Sequence, residues 1–206
     1  MFEFIDKVVY INLDYREDRR KSIEEQLNVF PPEKVVRFSA IRDTYNGLIG
    51  CVKSHIAVLE MAVQNKWTNV LILEDDAVWN KFEEGYALLE KLAKNPYDVI
   101  LLGSSLTKFD KDTYKLRNGY TTTAYLVSRQ YYEILLHNFK TGLAGLITTQ
   151  HEVQYALDKY WVSLQKTDNW YCVIPCLMYQ LESWSDITNK LETTLIKSTG
   201  EPTFQI

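Results

Sequence analysis

The sequence predicts an α/β fold in which helices flank a mixed, mostly parallel sheet. Short apolar stretches with strand character alternate with amphipathic helical stretches from the first residues onward, and this alternation is typical of a layered α/β sheet. A chain of 206 residues is long enough to bury about 70% of the surface that it would expose unfolded. With only 5 prolines and 8 glycines it has no room for a long flexible linker, so we expect a single domain.

Four strands alternate with three helices before residue 106. The predicted strands are residues 7–13, 35–41, 69–78 and 97–105. The helices between them carry apolar residues at helical spacing: Ile23, Leu27 and Phe30 in the first, Val52, Ile56, Leu59 and Val63 in the second, and Phe82, Tyr86, Leu89 and Ala93 in the third. Asp18 is the expected N-cap of the first helix, and Pro31-Pro32 is its expected stop. Parallel pairing is the default for this order.

The pattern changes after Thr107. An Asn118-Gly119 turn signal and the β-branched stretch 119–128 predict a partly antiparallel edge of the sheet. Two helices are expected next: one capped by Ser128 with Tyr132, Leu135, Leu136 and Phe139 on one face, and one opened by Thr149 with Val153, Ala156, Leu157, Tyr160 and Leu164. A last strand, 170–175, precedes a polar tail that is expected to wrap the surface or fray at its end.

Composition narrows the class of partner. Lys and Arg total 23 against 27 Asp and Glu, a net charge of −4 without a basic stripe, which disfavours nucleic-acid binding. No apolar run reaches the roughly 18–20 residues that span a bilayer, and the first residues lack the basic region of a signal peptide. Cys51, Cys172 and Cys176 are an odd number without a CxxC pair, which indicates reduced, buried thiols. We therefore expect a cytoplasmic protein.

Three consecutive acids end the third predicted strand. Glu74, Asp75 and Asp76 directly follow an apolar run, and the carboxyl ends of strands are where open α/β sheets bind ligands. Carboxylates this close repel each other unless a cation offsets them, and oxygen ligands without His or Cys favour Mg²⁺ or Mn²⁺. The alternative is a solvated loop in which Asp76 or Asn80 caps the next helix.

Arg16, Arg19 and Arg20 cluster around the start of the first helix. Arginine binds phosphate through paired hydrogen bonds, and a helix N-terminus adds backbone N–H donors, so this segment is a candidate diphosphate site. The alternative is an exposed helix whose arginines pair with neighbouring glutamates.

Taken in order, these motifs resemble glycosyltransferase family 25, the group that includes lipooligosaccharide galactosyltransferases and collagen-type hydroxylysine galactosyltransferases. The resemblance runs through YINLDYREDRR (10–20), RFSAI (37–41), GLIGCVKSHIAVLE (47–60), LILEDDAV (71–78), DVILLG (98–103), TTAYLVSRQ (122–130), and IPCLMYQ followed by SDI (174–187). It covers about residues 7–187. The ordered series is far more specific than any single motif in it.

The resemblance implies a GT-A-like, Rossmann-like nucleotide-sugar fold, a UDP-sugar donor and a divalent cation, Mn²⁺ or Mg²⁺. It makes Asp76 and Glu74 the expected metal ligands. The residues expected near the donor are Asn12, Arg16, Arg19, Arg20, Ala40, Ser54, Glu74, Asp75, Gly103 and Ser104. His55, beside Ser54 on the second helix, is a structural histidine or a ligand contact.

An inverting mechanism, which the resemblance implies, needs a carboxylate as general base. Glu152 and Asp186 are the candidates, because each falls in a segment where the family places acidic residues. Glu152 alternatively completes a capping box with Thr149, and Asp186 alternatively caps a final turn with Ser185. Glu152 stands where an Asp is more usual in the family.

The resemblance implies transfer of a hexose, galactose or glucose, to a glycan or hydroxylysine-type acceptor, as in lipopolysaccharide biosynthesis, in a viral or bacterial setting. The alternatives are a non-catalytic nucleotide-sugar-binding relative and a metal-dependent nucleotidyl or phosphoryl transferase. Residues up to about 106 are expected to bind the donor and residues 107–187 the acceptor, with 188–206 as the polar tail.

Overall fold

The computed structural model describes residues 2–80, 82–187 and 190–192. The strands are β1 Lys7–Asn12, β2 Val35–Ser39, β3 Asn69–Glu74, β4 Ala77–Trp79, β5 Val99–Phe109, β6 Leu116–Ser128, β7 Trp170–Cys172, β8 Met178–Gln180, β9 Ser183–Ser185 and β10 Lys190–Glu192. The helices are α1 Glu17–Gln26, α2 Gly47–Gln64, α3 Phe82–Ala93, α4 Tyr132–Thr149, α5 Glu152–Tyr155, α6 Leu157–Tyr160 and α7 Val162–Gln165.

Six strands form the main sheet in the order β2-β1-β3-β6-β5-β7. Of these six, β6 runs opposite to the other five, so the predicted mixed, mostly parallel sheet flanked by helices is confirmed. The antiparallel strand was expected at an edge, and that is wrong because β6 lies between β3 and β5. Residues 123–127 of β6 are buried on both faces, and only an interior strand covered by helices provides that environment.

The sheet separates two apolar layers. Successive side chains of a strand point to opposite faces, so Val9 and Ile72 pack in the layer that contains α2 and α4, while Val8 and Leu71 pack in the layer that contains α1 and α3. Both faces of the sheet are thus covered by helices. The polar residues that follow the strands therefore lie at the ends of the sheet, outside both apolar layers.

The first helix begins differently from the prediction. Arg16 precedes α1 as its N-cap residue and makes no capping hydrogen bond through its side chain. Asp18 lies inside the first turn, and its carboxylate accepts hydrogen bonds from Arg16 at 2.9 and 3.0 Å. The prediction that Asp18 caps the helix is therefore wrong, because the neighbouring guanidinium occupies both of its oxygens.

The predicted third strand, 69–78, is divided in two. β3 ends at Glu74, Asp75 and Asp76 form a turn, and β4 begins at Ala77. β4 leaves the main sheet and pairs with β8 in a separate two-stranded sheet. The backbone of Asp76 is held against this second sheet, since its carbonyl accepts a hydrogen bond from Leu181 N at 2.8 Å.

Thr149 ends α4 and does not open the following helix. Its hydroxyl donates to Gly145 O within α4 at 2.8 Å, and Gln150 then adopts a left-handed conformation with φ 54°. Three one-turn helices, α5 to α7, follow in place of the long helix that was expected. The capping box with Thr149, the alternative role for Glu152, does not form among the described residues, which leaves the Glu152 carboxylate available for other contacts.

Part of the predicted polar tail lies within the described residues. β10 pairs with β9 as an antiparallel hairpin, whereas residues 188–189 and 193–206 lie outside the described part of the chain. None of the described helices is both long enough and apolar enough to cross a membrane.

Candidate active site

A cavity of about 950 Å³ opens where β1, β2 and β3 end. Its wall is formed by the acidic turn that follows β3, the loop 40–46, the first half of α2, residues 121–123 of β6, the short helices α5 and α6, and residues 185–187. This is the edge of an open α/β sheet at which ligands are expected. The acidic triplet lies at this edge, as its position after an apolar run predicts.

Glu74 is fixed by hydrogen bonds to both of its carboxylate oxygens. Thr122 donates to Oε1 at 2.5 Å, and Gln180 donates to Oε2 at 2.7 Å. Burial opposes ionisation of this carboxyl, but the nearby His55 imidazole and these two donors hold the pKa of Glu74 below its ordinary value. Glu74 is therefore a rigid, ionised carboxylate in the wall of the cavity.

Asp75 and Asp76 share one counter-charge, the guanidinium of Arg19. Arg19 Nη1 lies 2.8 Å from Asp75 Oδ1 and 3.1 Å from Asp76 Oδ2. Asn12, which is fully buried, donates a further hydrogen bond to Asp75 Oδ2 at 2.8 Å. Burial raises the pKa of Asp75, and Arg19 opposes that rise. One arginine thus neutralises only part of the charge of this turn.

Asp76 carries the strongest sign that a cation fits here. Its Oδ1 atom is buried and has no hydrogen-bond partner among the described residues. Burial, together with repulsion from the Glu74 carboxylate, raises the pKa of Asp76 to about 7. A buried carboxylate oxygen without a donor is costly, and a divalent cation would satisfy it. Asp76 Oδ1 therefore has the chemistry of a divalent-cation ligand.

The predicted diphosphate cluster is already occupied by carboxylates. Arg16 binds Asp18 and Asp186, with 2.5 Å between Arg16 Nη1 and Asp186 Oδ2. Arg20 pairs with Glu24 at 2.9 Å, outside the cavity. Of the three predicted arginines, the structure brings Arg19 into the cavity wall.

The other residues that were expected near the sugar donor lie in different places relative to the cavity. Ala40 and Ser54 line it. The Ser54 hydroxyl also accepts from Ile41 N at 2.8 Å and donates to Gly50 O at 2.8 Å, which ties the 40–46 loop to α2. Asn12 does not line the cavity but donates a hydrogen bond to Asp75, which does.

Gly103 and Ser104 are not brought to the cavity. A Cβ on Gly103 would lie 2.6 Å from Met178 O, so this glycine permits the close approach of β8 to β5. Ser104 is buried and donates its hydroxyl to Tyr120 O at 2.7 Å. Both residues serve packing between strands, and both lie where the register of β5 with β6 shifts.

The two predicted bases both line the cavity, but they differ in how strongly other side chains hold them. Asp186 is held by Arg16 and also accepts a hydrogen bond from Tyr15 OH at 2.9 Å. Glu152 is exposed, and its nearest polar contact is a long one, 3.5 Å from Asn46 Nδ2. Glu152 is therefore the freer carboxylate of the two.

The cavity also contains residues that the sequence did not single out as part of the site, among them Arg42, Asp158 and Cys51. Arg42 lines the cavity, stacks on the Tyr15 ring with its guanidinium 5.3 Å from the ring centroid, and has no ion pair among the described residues. Asp158 also lines it and accepts a hydrogen bond from Thr121 N at 3.1 Å. The third is Cys51, whose sulfur lies within 4.8 Å of ligand atoms of His55 and Glu74. The i, i+4 spacing of Cys51 and His55 in the GCVKSH motif was a signal for a shared helix face.

Comparisons with known proteins agree with the resemblance noted above. The family model described as Glycosyltransferase family 25 (LPS biosynthesis protein) matches residues 33–150. A comparison with curated protein sequences gives no significant match.

Solved structures with a similar chain trace are only distantly related in sequence. The crystal structure of A197 from STIV is 13% identical with a TM-score of 0.45, over 90% of this chain and 92% of that chain. Mannose-1-phosphate geranyltransferase from Thermus thermophilus is 11% identical with a TM-score of 0.46, over 81% and 72%. A glycosyltransferase involved in the glycosylation of the major capsid of PBCV-1 is 8% identical with a TM-score of 0.45, over 81% and 80%. At TM-scores below 0.5 these similarities support no conclusion about the function of this chain.

Proposed function

The chain belongs to glycosyltransferase family 25, and from this premise we propose that it transfers a hexose, galactose or glucose, from a UDP-sugar to a glycan or hydroxylysine-type acceptor with the help of Mn²⁺ or Mg²⁺. The observation that carries the proposal is the acidic turn: Glu74 is fixed and ionised, and Asp76 presents a buried oxygen that has no partner among the described residues, beside a cavity of about 950 Å³. A nucleotide-sugar fits a cavity of this size.

The acidic turn has a defined task in this reaction. A bound divalent cation supplies charge to offset that which develops on the departing diphosphate. Glu74 and Asp76 would hold the cation, and Asp75 keeps the turn in place through Arg19 and Asn12. The same hydrogen bonds make the turn rigid before any ligand binds, which lowers the cost of organising the site.

Both halves of the chain contribute to the same cavity. The acidic turn and the 40–46 loop precede residue 106, whereas residues 121–123, Glu152 and Asp158 come from the second half. This supports the proposal that residues up to about 106 bind the donor and that residues 107–187 bind the acceptor.

Arg42 is the residue best placed to hold the donor phosphates, because it is a cavity-lining arginine without a competing carboxylate among the described residues. Loss of a charge-assisted hydrogen bond costs about 1.5–3 kcal/mol. We therefore expect Arg42→Gln to weaken UDP binding by about 10–100-fold, measured by calorimetry in the presence of Mn²⁺. In steady-state kinetics it should raise KM for the donor more than it lowers kcat. Arg117→Gln is the matched control, since Arg117 bonds the Lys166 carbonyl and does not line the cavity. Equal UDP affinity in the two variants would contradict this role.

Glu152 is the proposed general base, because its carboxylate is exposed in the cavity and has no ion pair within the described part of the chain, whereas Asp186 is bound to Arg16 and Tyr15. Glu152→Gln is expected to lower kcat by about 10²–10⁴-fold with little change in KM for the donor. Asp186→Asn keeps the shape of the other candidate and is expected to lower kcat less. The measurement is UDP release with acceptor present. A larger loss of kcat in Asp186→Asn would reverse the assignment.

A screen of UDP-sugars with Mn²⁺ tests the proposed reaction directly. Release of UDP from one donor, and a rise in the unfolding temperature with UDP and Mn²⁺, are the expected results. Release of pyrophosphate or UMP would instead indicate nucleotidyl or phosphoryl transfer, and binding of UDP without any turnover would indicate a non-catalytic relative. Absence of both a thermal shift and UDP release contradicts the proposal.

A further inference from the structure

Three side chains of different metal-ligand chemistry meet in the wall of the cavity. Cys51 and His55 lie one turn apart on α2, and Glu74 ends β3. The Cys51 sulfur, a His55 ring nitrogen and a Glu74 carboxylate oxygen all lie within 4.8 Å of one another. A thiol, an imidazole and a carboxylate this close together form a ligand set of the kind that binds Zn²⁺. Zinc commonly takes three protein ligands and keeps a fourth position open.

His55 is already oriented as a ligand. Its Nδ1 atom is hydrogen-bonded to Tyr125 OH at 2.7 Å, and both residues are fully buried. Its Nε2 atom lies 3.8 Å from Glu74 Oε1, which is too far for a hydrogen bond. In metal sites the ring nitrogen that does not bind the ion is usually hydrogen-bonded in this way, and that bond sets the orientation of the ring.

The other two members of the set complement His55. Both oxygens of Glu74 receive hydrogen bonds, from Thr122 and Gln180, which leaves further lone pairs at a fixed position. Cys51 is half-buried, lines the cavity and makes no hydrogen bond among the described residues. The site therefore has its supporting hydrogen bonds in place, and its thiol is engaged by no other group in the described ranges.

We propose that Cys51, His55 and Glu74 form a second cation site, selective for thiophilic divalent ions such as Zn²⁺ and open to the cavity at its fourth position. Binding forms a bond between the ion and the Cys51 sulfur as the thiol proton is released to solvent. The site shares Glu74 with the acidic turn, but sulfur and nitrogen ligands select a different class of ion from the Mg²⁺ or Mn²⁺ that oxygen ligands favour. It goes beyond the proposed transferase activity, which needs neither the thiol nor the imidazole as a ligand.

Cobalt titration of the metal-free full chain tests the site, because Co²⁺ reports its own ligands spectroscopically. The expected result is a thiolate-to-cobalt charge-transfer band in the near ultraviolet that Zn²⁺ abolishes by displacement and Mg²⁺ leaves unchanged. Cys51→Ser should remove the band, and Cys176→Ser, which alters a buried thiol outside the cluster, should leave it at full intensity. Tyr125→Phe removes only the bond that orients His55 and should weaken Co²⁺ binding by about 10–100-fold. Circular dichroism checks that each variant is folded.

A second measurement needs no variant. Zn²⁺ is expected to protect Cys51 from alkylation by iodoacetamide, with the modified cysteine identified by peptide mass mapping, while Mg²⁺ gives no protection. A wild-type protein without the charge-transfer band, a band that persists in Cys51→Ser, or alkylation of Cys51 that Zn²⁺ does not slow would each overturn the site. Turnover of a UDP-sugar without the cobalt band would overturn this site alone, and the band without turnover would overturn the transferase proposal alone.

Discussion

Asp76→Asn is expected to lower the rate of UDP release by about a thousandfold while making the cation-free protein more stable. The proposed cation would supply several kcal/mol of transition-state stabilisation, and each 1.36 kcal/mol corresponds to about tenfold in rate. Asparagine keeps the size of the side chain but removes the charge that Glu74 repels. Steady-state UDP release at saturating Mn²⁺ measures the first effect.

The stability of the same variant gives an independent result. In the cation-free wild type, burial and the nearby Glu74 carboxylate raise the pKa of Asp76 to about 7, so the ionised form of Asp76 opposes folding and asparagine removes that unfavourable charge. Urea unfolding without divalent cations should therefore give a higher free energy of unfolding for Asp76→Asn than for the wild type. Asp112→Asn, an exposed site outside this cavity, is the control for both measurements. Wild-type turnover in Asp76→Asn, or a loss of stability without cation, would contradict the role given to Asp76.

Arg19→Gln is expected to destabilise the cation-free protein by about 2–4 kcal/mol and to recover most of that loss in millimolar Mg²⁺ or Mn²⁺. The side chains of Arg19 and Asp75 are only 15% and 9% exposed, and removal of one partner from a buried pair leaves an uncompensated charge, at a typical cost of about 3–5 kcal/mol. A divalent cation bound by the remaining carboxylates restores the balance of charge. Urea unfolding with and without the cation measures both parts of the prediction.

The matched control lies one residue along the same helix. Arg20 pairs with Glu24 on the surface, with side chains 48% and 44% exposed, and an exposed pair of this kind contributes about 0.3–0.5 kcal/mol. Arg20→Gln should therefore change the free energy of unfolding little, and cation should not alter its effect. Equal losses in the two variants, or a loss in Arg19→Gln that cations do not reverse, would show that Arg19 does not balance the acidic turn.

Local sequence patterns predicted most strands of the main sheet and the sheet edge that carries the acidic turn, because these depend on neighbouring residues. The apolar run before Glu74 and the change to three acids are enough to place that turn at the carboxyl end of a buried strand. The central position of β6 was not predictable in this way, because the pairing of Leu126 with Leu71 and Ile100 joins segments that are far apart in the chain.

The candidate site shows the same division between local and long-range information. The acidic triplet was found from adjacent residues, but the partners of each acid come from distant segments. Arg19 is expected near the donor phosphates, and its partner in the structure is Asp75, 56 residues later. Cys51 and His55 share a helix face that their spacing indicates, yet their proximity to Glu74 follows only from the packing of α2 beside β3.

The contacts of Arg19 join the acidic turn to β9. Its guanidinium already bridges Asp75 and Asp76, and its other terminal nitrogen donates to the Trp184 carbonyl of β9 at 3.0 Å. The proposed cation would bind Asp76 through Oδ1, the oxygen that Arg19 does not contact, and would add positive charge beside this guanidinium. Arg19 therefore couples the charge of the turn to the strand that borders the cavity.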